Sequence, residues 1–271
     1  MRIISWNINS VRLRLASLKK LIETVNPDII CLQETKVINE LFPEEAIKDM
    51  GYPFLRFKGM KGYNGVAILS RIPLHINDLS RNWCEKEDCR HLALQFTQYN
   101  KTFTLHNFYI PAGGDEPDPD INPKFAHKLQ FLDEVTHWFE NQSDPYSILV
   151  GDFNIAPLEH DVWSHKQLLK IVSHTPIECE KLIKWQNTKF VDAMRIIIPP
   201  TEKLYTWWSY RNKDWQKSNR GRRLDHLWIT PDLKNYLKDI SVYKAARNWE
   251  QPSDHAPIIL DLVDPELKEH C

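Results

Sequence analysis

The 271-residue sequence predicts a mixed α/β domain in which β-sheets pack on one another with helices outside. Two observations predict the class and a third its unity. Short apolar, β-branched runs recur along the whole chain, and longer segments between them carry apolar residues at helical spacing. No Gly/Ser linker, internal repeat or low-complexity tract divides the chain, so one domain over residues 1–271 is expected.

Taken in order, the strand candidates are Ile3 to Ile8, Ile29 to Leu32, Val66 to Leu69, Leu92 to Phe96, Phe103 to Ile110, Ser147 to Val150, Leu224 to Ile229 and Pro257 to Leu262. Leu15, Leu18, Ile22 and Val25 make one helical stripe; Phe125, Leu129, Leu132, Val135, Trp138 and Phe139 make another, and both read as core. The runs around 92 to 110 are spaced like a hairpin. Residues Gly113 to Asp120, with alternating acids and prolines, break both periodicities and predict an exposed loop directly after Tyr109. Its four acids could bind a metal, but the prolines and solvation explain them as well, and the solvated loop is the favoured reading.

A hydrophobic content of 42% is ample for a core. No apolar run approaches the roughly 20 residues that cross a bilayer, so no membrane partner is expected. The five cysteines (Cys31, Cys84, Cys89, Cys179 and Cys271) form no disulfide framework, and Cys84 with Cys89 lacks the second close pair of a zinc site. Met1 to Trp6 run straight into a strand pattern without an export signal, and a reducing cytoplasm is the expected compartment.

The net charge of −1 does not announce a nucleic-acid partner, but its distribution does. Arg211, Lys213, Lys217, Arg220, Arg222 and Arg223 face a lone Asp214, among Trp207, Trp208, Tyr210 and Trp215. A solvated charged loop is the ordinary meaning of such a run. Solvated loops seldom spend several tryptophans, and this one reads as a surface that meets phosphates and bases.

Chemistry enters at the strand ends. Asn7, Glu34, Tyr109, Asp152, Asn154, Asp225 and His255 each stand in or at the end of a predicted strand, where an apolar residue is expected. Each alone reads as a capped turn or a satisfied surface group. Together they predict convergence, because half-buried carboxylates need a cation or hydrogen-bond partners. Oxygen donors without thiolates or several histidines favour Mg²⁺ or Mn²⁺ over Zn²⁺. Within Gly151-Asp152-Phe153-Asn154, an Asp two residues from an Asn can hold an attacking water; the same segment also suits a tight turn. Within Ser253-Asp254-His255-Ala256-Pro257, a His beside an Asp can polarise a phosphate; such pairs also occur as plain surface contacts. In combination they point to phosphodiester hydrolysis.

These residues, with Trp6-Asn7-Ile8-Asn9, Leu32-Gln33-Glu34-Thr35-Lys36, Asn107-Phe108-Tyr109-Ile110-Pro111 and Asn219-Arg220-Gly221-Arg222-Arg223-Leu224-Asp225, occur in an order and spacing that resembles the exonuclease III family of DNA repair nucleases. That family lies within the deoxyribonuclease I-like endonuclease/exonuclease/phosphatase superfamily. The resemblance covers essentially the whole chain and implies a four-layered α/β sandwich, two packed mixed sheets flanked by helices. It further implies a monomer that needs a divalent metal and acts on double-stranded DNA with abasic sites or 3′ ends. By resemblance Glu34 coordinates the metal with Asn7 in its shell and Asp254 close by. Asp152 activates the water, Asn154 positions it or the phosphate, Tyr109 stabilises phosphoryl charge, and His255 binds the phosphate with Asp225 as partner. Asp152, Asn154 and His255 also count among the metal-site candidates. Trp207 and Trp208 match the aromatic position against an extruded sugar or terminal nucleotide, and Arg220, Arg222 and Arg223 complete the expected DNA contacts.

Two departures stand out. Ala112 replaces an amide common in relatives, and His174 brings a ring into a loop expected at the DNA rim, where it would bias the enzyme toward 3′ ends. A superfamily phosphatase acting on a small phosphorylated molecule or lipid headgroup would share the metal core, but not the basic, Trp-rich loop. A DNA-binding module with a decayed site would lack members of the polar set, all of which are present.

Overall fold

The computed structural model describes residues 1–212 and 214–268, so that Lys213 of the basic run and Cys271 lie outside the described residues. Thirteen strands occur among them. They are β1 (Arg2–Asn7), β2 (Ile29–Gln33), β3 (Phe54–Lys58), β4 (Val66–Ser70), β5 (His91–Gln98), β6 (Lys101–Tyr109), β7 (Ser147–Asp152), β8 (Val191–Asp192), β9 (Trp207–Trp208), β10 (Gly221–Arg222), β11 (Asp225–Ile229), β12 (Leu237–Val242) and β13 (Ile258–Leu262). One sheet has the order β12-β13-β1-β2-β4-β3, the other β5-β6-β7-β11-β8, and β9 with β10 forms a small ribbon. The first five α-helices in chain order are α1 (Leu15–Val25), α2 (Glu44–Asp49), α3 (Pro123–Glu140), α4 (His165–Leu168) and α5 (Pro176–Lys189).

The layers follow from strand alternation. Ile3, Ile29, Cys31 and Ile68 of the first sheet pack against Leu105, Ile148, Val150 and Leu227 of the second. Their neighbours Ile4, Trp6, Ile30 and Leu32 point the other way, onto Leu18, Leu21, Ile22 and Val25 of α1. Phe108, Leu149 and Trp228 cover the outer face of the second sheet with Phe131, Leu132, Val135 and Phe139 of α3 and Leu182 and Trp185 of α5. Both faces of each central strand are thus buried, which is why these strands read as continuous apolar runs and not as apolar/polar alternation. Helix, sheet, sheet, helix is the expected four-layered sandwich. Among the described residues no helix is long and apolar enough to cross a membrane, and Cys31, Cys84, Cys89 and Cys179 are free.

All eight strand candidates and both helical stripes are present, with ends shifted by a few residues. Sequence reading passed over β3 and β12, edge strands whose exposed positions dilute the apolar pattern. It also passed over α5, which buries only Glu178, Leu182 and Trp185. Its start is nonetheless legible: Pro176 at the first helical position and a Thr175/Glu178 capping box.

Topology brings the polar strand ends together. β1 runs parallel to β2, with Asn7 opposite Gln33, and β6 runs parallel to β7, with Tyr109 opposite Asp152. β11 is antiparallel to β7, so its first residue, Asp225, lies beside Asp152. β13 is antiparallel to β1, which brings His255 to the same end. Gly151 permits the close packing there: with φ of 143°, an added Cβ would sit 1.9 Å from the Phe108 carbonyl oxygen.

Candidate active site

Asn7 is fully buried between the two sheets. Its Nδ2 donates to Glu34 Oε1 and to Asp152 Oδ2, each at 2.8 Å. Glu34, directly after β2 with φ of 51°, also pairs with Lys36 Nζ at 2.8 Å. Burial alone would push the Glu34 carboxyl up, but the Lys36 ammonium and the Asn7 amide outweigh it and hold the pKa below the usual range.

Asp152 Oδ1 accepts the Asn154 backbone N–H at 2.9 Å, and the Asn154 side chain donates to the Ile110 carbonyl at 2.9 Å. Burial raises the Asp152 pKa; Asp225 and Glu34 add to the rise and His255 opposes it. His255 Nδ1 lies 2.8 Å from Asp225 Oδ2, and its Nε2 lies 3.6 Å from Asp152 Oδ2. Burial would lower the His255 pKa, but Asp225 and Asp152 more than reverse this and push it up to about 10, which favours the charged ring. Tyr109 is buried beside Glu34 and Asp152, and burial plus their charge keeps its hydroxyl protonated.

Two contributors were missed by sequence reading. Thr206 is fully buried; its Oγ1 donates to Asp225 Oδ2 at 2.5 Å and accepts the backbone N–H groups of Leu224 and Asp225 at 3.1 Å each. Asn9 links Lys36 to Asp254: its Oδ1 accepts from Lys36 Nζ at 2.6 Å, and its Nδ2 donates to Asp254 Oδ1 at 3.2 Å. Asn9 closes the Trp6-Asn7-Ile8-Asn9 motif without a role of its own, and Thr206 precedes Trp207; those positions are the only sequence signal they carry.

The oxygen-rich set fits a divalent metal. Asp152, Asp225 and His255 offer ligand atoms within 4.8 Å of one another, and Asp225 Oδ1 is buried without a hydrogen-bond partner. Asp225, one of the convergent strand-end residues and by resemblance the partner of His255, is therefore also a member of the metal-competent cluster.

The group opens into a cleft of about 620 Å³ whose lining includes Glu34, Tyr109, Asn154, Trp207, Arg222 and His255. Trp207 faces it, with Nε1 donating to Asp254 Oδ2 at 2.9 Å and the Arg222 guanidinium 5.4 Å from its ring centroid. Arg220 is exposed at the rim over the Trp163 ring. Three expected DNA contacts are corrected. Trp208 is 0% exposed, packed on Tyr205 and Ala256 in the core beneath the ribbon, because successive strand residues point to opposite faces. Arg223, also 0% exposed, pairs with Asp161 at 2.8 Å and Asp192 at 2.5 Å and cannot reach a phosphate. His174 is turned inward, its Nδ1 donating to the Ala156 carbonyl at 2.5 Å and its Nε2 accepting from His165, while its neighbours Val172 and Ser173 line the cleft.

Residues 4–255 match the model of the endonuclease/exonuclease/phosphatase family. The chain is 30% identical over 270 residues to exodeoxyribonuclease III of Haemophilus influenzae, covering 95% of this chain and 98% of that protein. Its fold superposes with a TM-score of 0.88 on the 3′ phosphatase NExo from Neisseria bound to product DNA hairpin, at 29% identity, covering 97% of this chain and 100% of that one. An AP endonuclease from Archaeoglobus fulgidus gives the same TM-score at 30% identity, again over 97% of this chain and 100% of the other.

Proposed function

Because the chain belongs to the endonuclease/exonuclease/phosphatase family, we propose that its cleft hydrolyses phosphodiesters of duplex DNA. The enzyme is a DNA repair nuclease of the exodeoxyribonuclease III type. In our reading it removes nucleotides 3′ to 5′, clears blocked 3′ ends including 3′ phosphates, and incises at abasic sites. The observation that carries this is the buried Asp225–His255–Asp152 array opening beside Trp207 and Arg222.

The residues divide the work as follows. Asp152 takes the proton of the attacking water; its raised pKa makes it a better base near neutral pH, and the Asn154 N–H holds it in place. His255 offers Nε2–H to a phosphoryl oxygen, while Asp225, steadied by Thr206, keeps the ring protonated and oriented. Tyr109 donates its hydroxyl to the same phosphate. Glu34 with Asn7 and Asp254, alongside Asp152 and Asn154, would hold a divalent cation, which when bound neutralises charge growing on the phosphate; His255, kept protonated for the phosphate, has no lone pair left to join that set. Hard oxygen donors suit Mg²⁺ or Mn²⁺. Trp207 takes the extruded sugar or terminal nucleotide, and an abasic site, already unstacked, enters at lower cost than an intact nucleotide. Arg220 and Arg222 meet the backbone phosphates. An open cleft flanked by arginine and tryptophan favours a polymer over a small phosphorylated molecule. In this reading the protein works as a one-domain monomer in the cytoplasm, where its free thiols stay reduced.

The test is cleavage of two labelled duplexes, one with an internal abasic analogue and one with a recessed or 3′-phosphorylated end, with Mg²⁺ and with EDTA. Metal-dependent cutting of both is expected; no metal-dependent cutting of either overturns the reading.

A further inference from the structure

Behind the cleft lies an ion pair that the chemistry above does not use. Lys128 on α3 and Glu178 on α5 are both 0% exposed and in direct contact. Removing two charges from water is expensive, and buried pairs can often be exchanged for apolar residues without loss of stability. A pair kept in such a place invites a reason other than stability, and its remaining hydrogen bonds supply one.

Lys128 Nζ donates to the carbonyl of Asn154 at 2.9 Å and to that of Ala112 at 3.2 Å. It thereby holds the segment after β7, which carries Asn154, against the segment after β6, which follows Tyr109. Glu178 accepts the Ser173 N–H on both oxygens, at 3.0 and 3.1 Å, and the Thr175 hydroxyl at 2.6 Å. Ser173 needs that hold, because its φ of 87° is costly for a residue with a side chain. Its Oγ in turn accepts from Arg222 Nη1 at 2.8 Å, and Arg222 sits over Trp207. Gly113 leaves room for the lysine stem: at φ of 92°, an added Cβ would approach Lys128 Cδ to 2.9 Å.

We propose that Lys128 and Glu178 are positioning residues for the nuclease reaction, locking the Asn154 segment and the Val172 to Thr175 wall of the cleft into one fixed arrangement. The inference rests on the nuclease reading above. Asn154 anchors the general base, so loosening its segment slows the chemical step, whereas Trp207 and Arg220 still bind the duplex.

The experiment compares wild type with the Lys128→Met/Glu178→Leu double variant. Measured are thermal stability, Kd for uncleaved duplex in EDTA, and kcat on the 3′-end and abasic duplexes in Mg²⁺. The expected result is a cooperative unfolding transition retained at a lower Tm, a Kd within about fivefold, and a kcat lower by about 30-fold or more at a temperature where the variant is folded; such a split is not produced by partial unfolding, which lowers binding and turnover together. A folded double variant with wild-type kcat overturns the proposal. If the double variant does not fold, Thr175→Val, which removes the hydroxyl's bond to the Glu178 carboxylate together with the helix cap and leaves the ion pair in place, carries the test of the wall. A severalfold fall in kcat with Kd unchanged in the folded variant supports the proposal, and an unchanged kcat overturns it. Inactive wild type defeats the nuclease reading itself, whereas active wild type beside an equally active variant defeats only the positioning role.

Discussion

Asn7 and Asp152 meet across the two sheets: the Asn7 amide nitrogen at the end of β1 lies 2.8 Å from Asp152 Oδ2 at the end of β7, and the same nitrogen serves Glu34. One neutral side chain thus keeps two carboxylates apart in a fixed geometry. Asn7→Ala leaves both without that donor, at a cost on the order of 1–3 kcal/mol for a buried acceptor. We expect kcat/KM to fall by about tenfold to a hundredfold and the Mg²⁺ concentration for half-maximal activity to change. Unaltered metal dependence and rate would remove Asn7 from the site.

Asp152→Asn keeps the size of the side chain and removes the base. General-base loss typically costs about 10²–10⁴-fold in rate. Single-turnover cleavage should slow by that order while fluorescence anisotropy shows duplex binding little changed; binding lost in parallel with rate would contradict the assignment.

The His255 ring is predicted to stay charged well above neutral pH in metal-free protein. Burial opposes the charge, but Asp225 and Asp152 raise its pKa to about 10, against about 6.5 for a free histidine. A folded-state pKa above the unfolded one means that this ring's contribution to stability is full below about pH 6.5 and is lost as pH rises through about 10. Imidazole NMR shifts in EDTA should show no titration near pH 6.5, and Asp225→Asn should move the transition downward. A wild-type midpoint near 6.5 would refute the ion pair.

Adjacent tryptophans should behave oppositely. Trp208 is wholly buried, and Trp208→Ala is expected to cost about 3–5 kcal/mol in denaturant unfolding. Trp207→Ala should leave stability nearly intact, raise KM and reduce discrimination between abasic and intact duplex. Equal stability losses at both positions would deny Trp207 its place in the cleft.

The arginines divide in the same way. Arg223→Ala leaves Asp161 and Asp192 short of a buried partner and should destabilise the fold by about 3–5 kcal/mol. Arg220→Ala should leave the fold unchanged, weaken binding to all duplexes alike and flatten the log Kd against log salt slope by about 1. An unchanged slope would remove Arg220 from the interface.

The sequence by itself determined the sandwich and the convergence of its polar strand ends. Strands buried on both faces must be apolar throughout, so Asn7, Asp152 and Asp225 were conspicuous as polar residues in or beside such runs. Helices with one strong apolar stripe, α1 and α3, were legible for the same reason, whereas β3, β12 and α5 bury too few residues to stand out. Only the tertiary structure decided which member of each polar or aromatic pair meets solvent. Trp207 and Trp208, or Arg222 and Arg223, are chemically alike and adjacent, and a one-residue step along an extended chain reverses the face. Composition cannot report that parity, nor the inward turn of His174, nor the partnership of Lys128 and Glu178. Each is fixed by which distant segment packs against it: Ala156 for His174, and α5 against α3 for the ion pair.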